Sequence, residues 1–235
     1  GAAPQEAQLV IHRGQLLDVG QYGHLPGFAD ADIETMGAIL EEGGKFCEGV
    51  LAPISKVGDV EGCTRDEDGN VKTPTGWKEA FQQMAEAGWT ALSSDPEYGG
   101  QGLPHVLNLA VNEMVSSSNM AFGMYPGLSH GCYNAIYLHG SEEQKDQYLP
   151  KLNSGDWSGT MCLTEPHCGT DLGLIKTKAD PKGDGSFSIS GQKIFISAGE
   201  HDLTENIVHL VRAQLPDAPE GAGGTSPVLV PQVLP

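Results

Sequence analysis

The sequence predicts an α+β protein in which helices come first and strands follow. Three observations carry this. Apolar residues recur at helical spacing as far as about residue 156. Beyond that point they alternate with polar ones. The 32 Gly and 15 Pro among 235 residues then supply the turns such a β-rich region needs. Segregated helices and strands, rather than alternating βαβ units, define the class.

The elements follow in order. Ile33, Met36, Leu40, Cys47 and Leu51 keep a heptad-like apolar stripe. Gly43-Gly44 interrupts it, at roughly 1 kcal/mol per glycine relative to alanine. Trp77, Ala80, Phe81 and Met84 fall at i, i+3, i+4 and i+7, and Gly88 provides a C-terminal stop. Pro104 suits a first helical turn, after which Leu107, Ala110, Val111, Met114 and Val115 line one face. Residues 127–139 are apolar or small and read as a buried helix. Ser141-x-x-Gln144 has capping-box form ahead of a short helix that Pro150 closes.

In the β-rich part, residues 159–163 are strand-like. Phe187, Ile189, Ile194 and Ile196 alternate with polar residues, broken by Gly191. Residues 181–185 form a turn cluster. Residues 207–211 and 228–234 read as two further strands, separated by a loop rich in Pro, Gly and acid. Four or five strands with open edges make a doubtful independent unit, so the β region is expected to be cut short.

Charge and cysteine usage narrow the function. The net charge is −18, with 13 Lys and Arg. Nucleic-acid binding needs clustered basic residues that displace counterions, and a plain anionic-membrane binder needs the same. No apolar run reaches the ~20 residues of a membrane span. No basic stretch followed by an apolar one opens the sequence, so no signal peptide is expected. Five cysteines, an odd number without Cys-x-x-Cys, fit free thiols in a reducing compartment and offer no zinc spacing.

The common phosphate loops are missing. Gly100-Gln-Gly102 is followed by His105 where a dinucleotide fingerprint needs Gly, and Gly221-Ala-Gly223 fails likewise at Ser226. Asp66-Glu-Asp68-Gly69 hints at a calcium loop but lacks the third ligand and the closing Glu, so a polar turn is expected. His201-Asp202, with no nucleophile elbow, reads as a surface or structural histidine. Residues 160–171 differ. A strand runs into Thr164-Glu-Pro166, where the proline ends regular pairing. Gly169 then permits a tight backbone course. Such a turn exposes backbone N–H groups and hydroxyls, which suit an acceptor-rich heteroaromatic ring or a pyrophosphate. Phe195 and Ser197, two apart on an expected strand, share a face and suit the cover of one ring. On residue types alone, a polar turn beside a core phenylalanine fits as well.

Met161-Cys-Leu-Thr-Glu-Pro-His-Cys-Gly-Thr-Asp171 and Lys193-Ile-Phe-Ile-Ser-Ala-Gly199 resemble the two flavin-binding segments of the acyl-CoA dehydrogenase family. Asp95-Pro-Glu-Tyr-Gly-Gly-Gln-Gly-Leu-Pro104, Asn119-Met-Ala-Phe-Gly-Met-Tyr-Pro-Gly127 and His139-Gly-Ser-Glu-Glu-Gln-Lys145 fit the same family in the same order. The wording is similar to a large bacterial branch that includes 3-methylmercaptopropionyl-CoA and fatty acyl-CoA dehydrogenases. Similarity extends from about Gln21 to Pro235.

The resemblance implies an N-terminal extension over residues 1–30 and an all-α helical domain over 31–156. It implies a β-barrel-like or β-sandwich domain over 157–235, incomplete, with the family's third, helical domain absent. It implies FAD-dependent α,β-desaturation of an acyl-CoA, in which a carboxylate takes the α-proton and a hydride leaves Cβ for the flavin. Met161, Leu163 and Thr164 are then expected at the ring edge, and Gly169 and Thr170 near the pyrophosphate. Thr170 is also expected at the acyl-CoA. Phe195 is expected over the ring, with Ile196 beside it, and Ser197 near N5. Met124, Tyr125 and Pro126 would border the acyl channel. Implied besides are an electron-transfer flavoprotein as acceptor, a homodimer or higher oligomer, and a bacterial cytoplasmic location.

Some residues depart from the family pattern. No residue matches the catalytic base, and Glu165 is expected to have a local structural role. The residues alone are therefore expected to hold FAD weakly and not to turn over acyl-CoA. Gly43-Gly44 and Arg13-Gly14 stand where better helix formers are expected, and Pro227 stands where the last strand begins. A non-catalytic module that keeps the fold, and the flavin with it, is the alternative.

Overall fold

The computed structural model describes residues 19–25, 27–29, 31–219 and 221–234. The Arg13-Gly14 pair and most of the N-terminal extension lie outside the described residues. Helix α1 (Ile33–Phe46) starts at Asp32, whose carboxylate accepts the Thr35 N–H. It continues through a π-helical turn, Cys47–Leu51, into α2 (Ala52–Glu61). Met36, Leu40, Cys47 and Leu51 are buried as their spacing predicts. Ile33 is exposed, because it is the first helical residue and precedes the packed face. Gly43 and Gly44 are buried, and a Cβ on Gly43 would stand 3.1 Å from Met114 Cε. The glycines that weaken this helix in isolation let it approach its neighbour closely.

A short hairpin, β1 (Thr64–Arg65) with β2 (Val71–Lys72), follows. Its polar turn is the segment with calcium-loop character, and Asp66 there accepts the Asn70 N–H. Helix α3 (Trp77–Glu86) buries Trp77, Ala80, Phe81 and Met84, and Gly88 beyond its end takes φ +77°.

Helix α4 (His105–His139) is broken at Asn119, where φ −159° and ψ 83° are extended backbone. In a straight helix, residues 25 positions apart are separated by roughly 37 Å. Here the rings of His105 and His130 stack with centroids 5.6 Å apart. The chain therefore reverses at Asn119, and α4 is a pair of antiparallel limbs. Asn119 is buried and caps the second limb, accepting the Phe122 N–H through Oδ1. The second limb thus begins before Gly127 and carries Pro126 inside it. It is buried on one side only, through Phe122, Ser129, Cys132, Tyr133 and Ile136, while Met120, Met124 and Leu138 are exposed.

Helix α5 (Glu142–Ser154) opens with the expected capping box of Ser141 and Gln144. Pro150 lies inside this helix rather than ending it. Buried Leu149, Leu152 and Asn153 anchor the turn around the proline, and Gly155 with φ +76° ends it.

The strands form a five-stranded mixed sheet. β3 (Trp157–Cys162) runs parallel to β6 (Asn206–Gln214), and β7 (Thr225–Pro231) pairs antiparallel with β6. β4 (Lys178–Pro181) and β5 (Phe187–Ser190) form a hairpin that joins β6 at Lys178 and Gln214. Pro227 lies within β7, opposite Arg212. Alternation suggests strand character for residues 193–197, but no strand forms there. Phe195 at φ 57° and Ala198 at φ 53° are left-handed, which an extended strand excludes.

One core cluster lies among α1, α3 and the two limbs of α4, around Trp77, Phe81, Met114 and Phe122. A second joins α4 and α5 to the sheet through Cys132, Ile136, Tyr148, Leu149, Val208 and Leu210. Between them α4 crosses β3, where the Gly159 N–H donates to Ser129 Oγ at 3.1 Å. A Cβ on Gly159 would stand 2.3 Å from Cys132 Cβ, so only glycine permits this crossing. Gly159→Ala is expected to destabilise the chain by about 2–3 kcal/mol, as overpacking of a closed core does. Urea denaturation followed by far-ultraviolet dichroism measures it; an unchanged midpoint would contradict this packing.

Candidate functional site

The site grows from the end of β3. Its Thr160 and Cys162 side chains point into the protein, while Met161, on the opposite face, is 41% exposed. Thr160 Oγ1 lies 2.7 Å from His209 Nδ1, and Ser158 Oγ 3.0 Å from His201 Nε2. These contacts fix the inward face, so Met161 is held toward solvent. His201 is the structural histidine expected. Its Nδ1 accepts the Leu203 N–H, and burial pushes its pKa down to about 4, so the imidazole is neutral.

After Cys162 the chain leaves the sheet. Glu165 and Cys168 exchange backbone hydrogen bonds of 2.8 and 3.1 Å, closing a turn over Pro166 and His167. The chain does reverse tightly here through the Glu165–Cys168 pair, and Gly169 does so without a left-handed φ. Glycine matters there for space, since a Cβ would stand 3.2 Å from Thr164 Cγ2.

Glu165 organises the rest. It is 3% exposed. Its carboxylate accepts the Lys176 N–H at 2.8 Å, the Thr177 N–H at 3.0 Å, the Thr177 hydroxyl at 2.6 Å and Lys193 Nζ at 2.9 Å. Lys193 Nζ also donates to the Leu163 carbonyl at 3.0 Å, and the Ile194 N–H to the Thr164 carbonyl at 3.0 Å. Residues 163–170 and 193–199 are thereby clipped side by side. Burial raises the Glu165 pKa, but the donors from Thr177, Lys176 and Lys193 outweigh it and bring the value to about 2. Glu165 therefore has the local structural role expected of it.

Phe195 is 89% exposed on this clipped pair, with Ser197 exposed and Ile196 half-buried beside it. Because residues 193–197 are not a strand, no pleat places Phe195 and Ser197 on one face. Leu163 and Thr164 are half-buried, and Thr170 is exposed. Asp171 accepts the Gly173 N–H at 3.0 Å and starts a short 3-10 turn, Leu172–Leu174.

Met124, Tyr125 and Pro126 lie on the limb of α4 that crosses β3. Met124 is exposed and Pro126 buried. The Tyr125 ring meets His201 edge-on at 5.1 Å and Trp77 at 5.9 Å, a core contact. Tyr125 connects to β3 through Ser129, whose hydroxyl donates to the Tyr125 carbonyl and accepts from Gly159.

Sequence reasoning missed Lys193, Thr177 and His209. None of the three carries a local signal, because each is defined by a partner distant in sequence. Among the described residues, Glu165, His167 and Cys168 place ligand atoms within 4.8 Å of one another. Glu165 Oε1 accepts three donors and Oε2 one, and His167 Nε2 is 2.8 Å from the Leu174 carbonyl, so these side chains hold the turn together.

A helical layer leading into a mixed sheet, with an exposed cradle where β3 ends, is an architecture shared with known enzymes. The chain belongs to the acyl-CoA dehydrogenase family: residues 34–156 match the acyl-CoA dehydrogenase N-terminal domain. Among its relatives, the 3-methylmercaptopropionyl-CoA dehydrogenase of Ruegeria pomeroyi is 49% identical over 210 residues, covering 89% of this chain and 36% of that protein. A butyryl-CoA dehydrogenase of Syntrophomonas wolfei is 38% identical, covering 94% of this chain and 36% of that protein. The chain thus spans about a third of the length of these curated relatives. An acyl-CoA dehydrogenase from Bacillus anthracis complexed with FAD superposes with a TM-score of 0.66 at 26% identity, covering 86% of this chain and 31% of that one. A chain from the electron transferring flavoprotein structure of Acidaminococcus fermentans superposes with a TM-score of 0.68 at 28% identity, covering 85% and 48%.

Glu165→Gln is expected to cost about 3 kcal/mol at neutral pH. The pKa of Glu165 is lowered from 4.5 to about 2, so its contribution is complete above pH 4.5 and fades as pH falls toward 2. Urea midpoints of both proteins between pH 2.5 and 7 test this. The gap between them should close on acidification; a gap constant with pH would contradict the charged clip.

Proposed function

We propose that this chain carries part of the FAD site of an acyl-CoA dehydrogenase that desaturates a fatty acyl-CoA or 3-methylmercaptopropionyl-CoA thioester. The observation that carries the reading is the clip itself. It holds residues 163–170 and 193–199 together and leaves Met161, Thr170, Phe195 and Ser197 exposed on or next to these two segments. An apolar surface rimmed by hydroxyls and backbone N–H groups fits a planar, acceptor-rich ring. The absence of a side chain on Gly169, beside Thr164, suits the close approach of a phosphate. The relatives named above support the assignment to acyl-CoA chemistry.

FAD, when bound, supplies the hydride acceptor. In this reading the chain's own residues bind and orient. Met161, Leu163 and Thr164 border the ring, and Gly169 and Thr170 take the pyrophosphate. Phe195, with Ile196 beside it, keeps water from the ring face, and the Ser197 hydroxyl donates to a ring acceptor. Thr170 also meets the acyl-CoA, and Met124 and Tyr125 border the acyl chain. None of these residues removes the α-proton. Residues 31–156 would form the helical domain and 157–235 part of the β-rich one. An electron-transfer flavoprotein as acceptor, a homo-oligomeric assembly and a bacterial cytoplasmic setting complete the reading. Among the described residues no helix is long and apolar enough to cross a membrane.

Titration of the purified chain with FAD, followed by flavin fluorescence, tests the cofactor. Saturable binding with a dissociation constant on the order of micromolar is expected. Phe195→Ala should weaken it about 5-fold, the loss of one stacking contact. The absence of saturable binding, or full affinity in Phe195→Ala, would overturn the reading.

A further inference from the structure

Lys193 joins the two flanks of the cradle through its side chain. Its ammonium has three protons to donate. One goes to the Leu163 carbonyl at 3.0 Å and another to Glu165 Oε1 at 2.9 Å. The side chain is 10% exposed and that of Glu165 2%. Leu163 and Thr164 stand beyond the end of β3, so their carbonyls have left its ladder with β6. Lys193 Nζ and the Ile194 N–H are the donors that serve them. The next residue, Phe195, is held at φ 57°, a conformation that persists in a bulky side chain only when its neighbours fix it.

We propose that Lys193 is a positioning residue for the cofactor: by holding the Leu163 carbonyl and the Glu165 carboxylate at once, it sets the spacing of residues 163–170 against residues 194–197. The inference rests on the flavin reading above. In this proposal Lys193 does not act by touching the ring. It acts through the segments it joins, so its removal changes how the cofactor is held as well as how stable the chain is.

The two effects separate in a double variant. Lys193→Met leaves Glu165 buried and charged without its cation. Combining it with Glu165→Gln removes that charge, and with both ions gone the stability lost in Lys193→Met should largely return. The Leu163 carbonyl still lacks its ammonium donor. Outer partners that orient metal ligands are typically worth about 10- to 100-fold in affinity. A loss of roughly 10-fold in FAD affinity is therefore expected in Lys193→Met and in the double variant alike, with an altered visible dichroism of the bound flavin. Lys193→Arg keeps charge and donors and should recover much of the affinity.

Urea midpoints, FAD titrations and visible dichroism of the wild type and the three variants make the test. Affinity that returns with stability in the double variant overturns the positioning role, as does wild-type affinity in Lys193→Met. Affinity that stays low while stability returns, with rescue by Lys193→Arg, supports it. A wild-type chain that binds no FAD sinks the flavin reading, and this inference with it; a wild-type chain that binds while Lys193→Met binds equally well sinks the inference alone.

Discussion

A carboxylate buried to the extent of Glu165 survives as an anion only if every oxygen finds a donor. Two backbone N–H groups, one hydroxyl and one ammonium supply them. Those donors come from the start of β4 and from the segment after β5, two places far apart in sequence. The charge of Glu165 therefore gathers three stretches of chain at the end of β3. Without it, the loop at residues 163–170 would keep the Glu165–Cys168 backbone pair and its bonds to Lys193, Ile194 and Leu174, but lose its tie to residues 176–177.

This anchor works because the sheet behind it is rigid. β3 is paired to β6 along its length and pressed by α4 at Gly159, where no side chain fits. The reversal of α4 at Asn119 brings its second limb back across the strand. Paired backbone on one side and a hydrogen-bonded carboxylate on the other bracket the segments that carry exposed Phe195 and follow exposed Met161.

Much of the scaffold was legible in the sequence, because the periods that encode it are local. The stripe from Trp77 to Met84 and the box of Ser141 and Gln144 each lie within two helical turns. What escaped depended on distant partners. Asn119 looks like a polar residue in a helix until Phe122 and Leu51 are known to surround it. Pro150 looks like a stop until Leu149 and Leu152 are seen held in the core. Residues 194–197 alternate as a strand does, yet the Ile194 N–H donates singly to the Thr164 carbonyl and Phe195 is left-handed. The cradle was legible only as family wording; the clip that builds it, through Lys193 and Thr177, had no local signature.

The central claim is that one carboxylate couples the two loops. Amide hydrogen exchange of the wild type and Glu165→Gln, read residue by residue at neutral pH, tests it most directly. Lys176 and Thr177 donate to the carboxylate, whereas Ile194 donates to Thr164 and feels Glu165 only through Lys193. All three amides are expected to lose protection together in the variant. Faster exchange at Lys176 and Thr177 with Ile194 unchanged would contradict it.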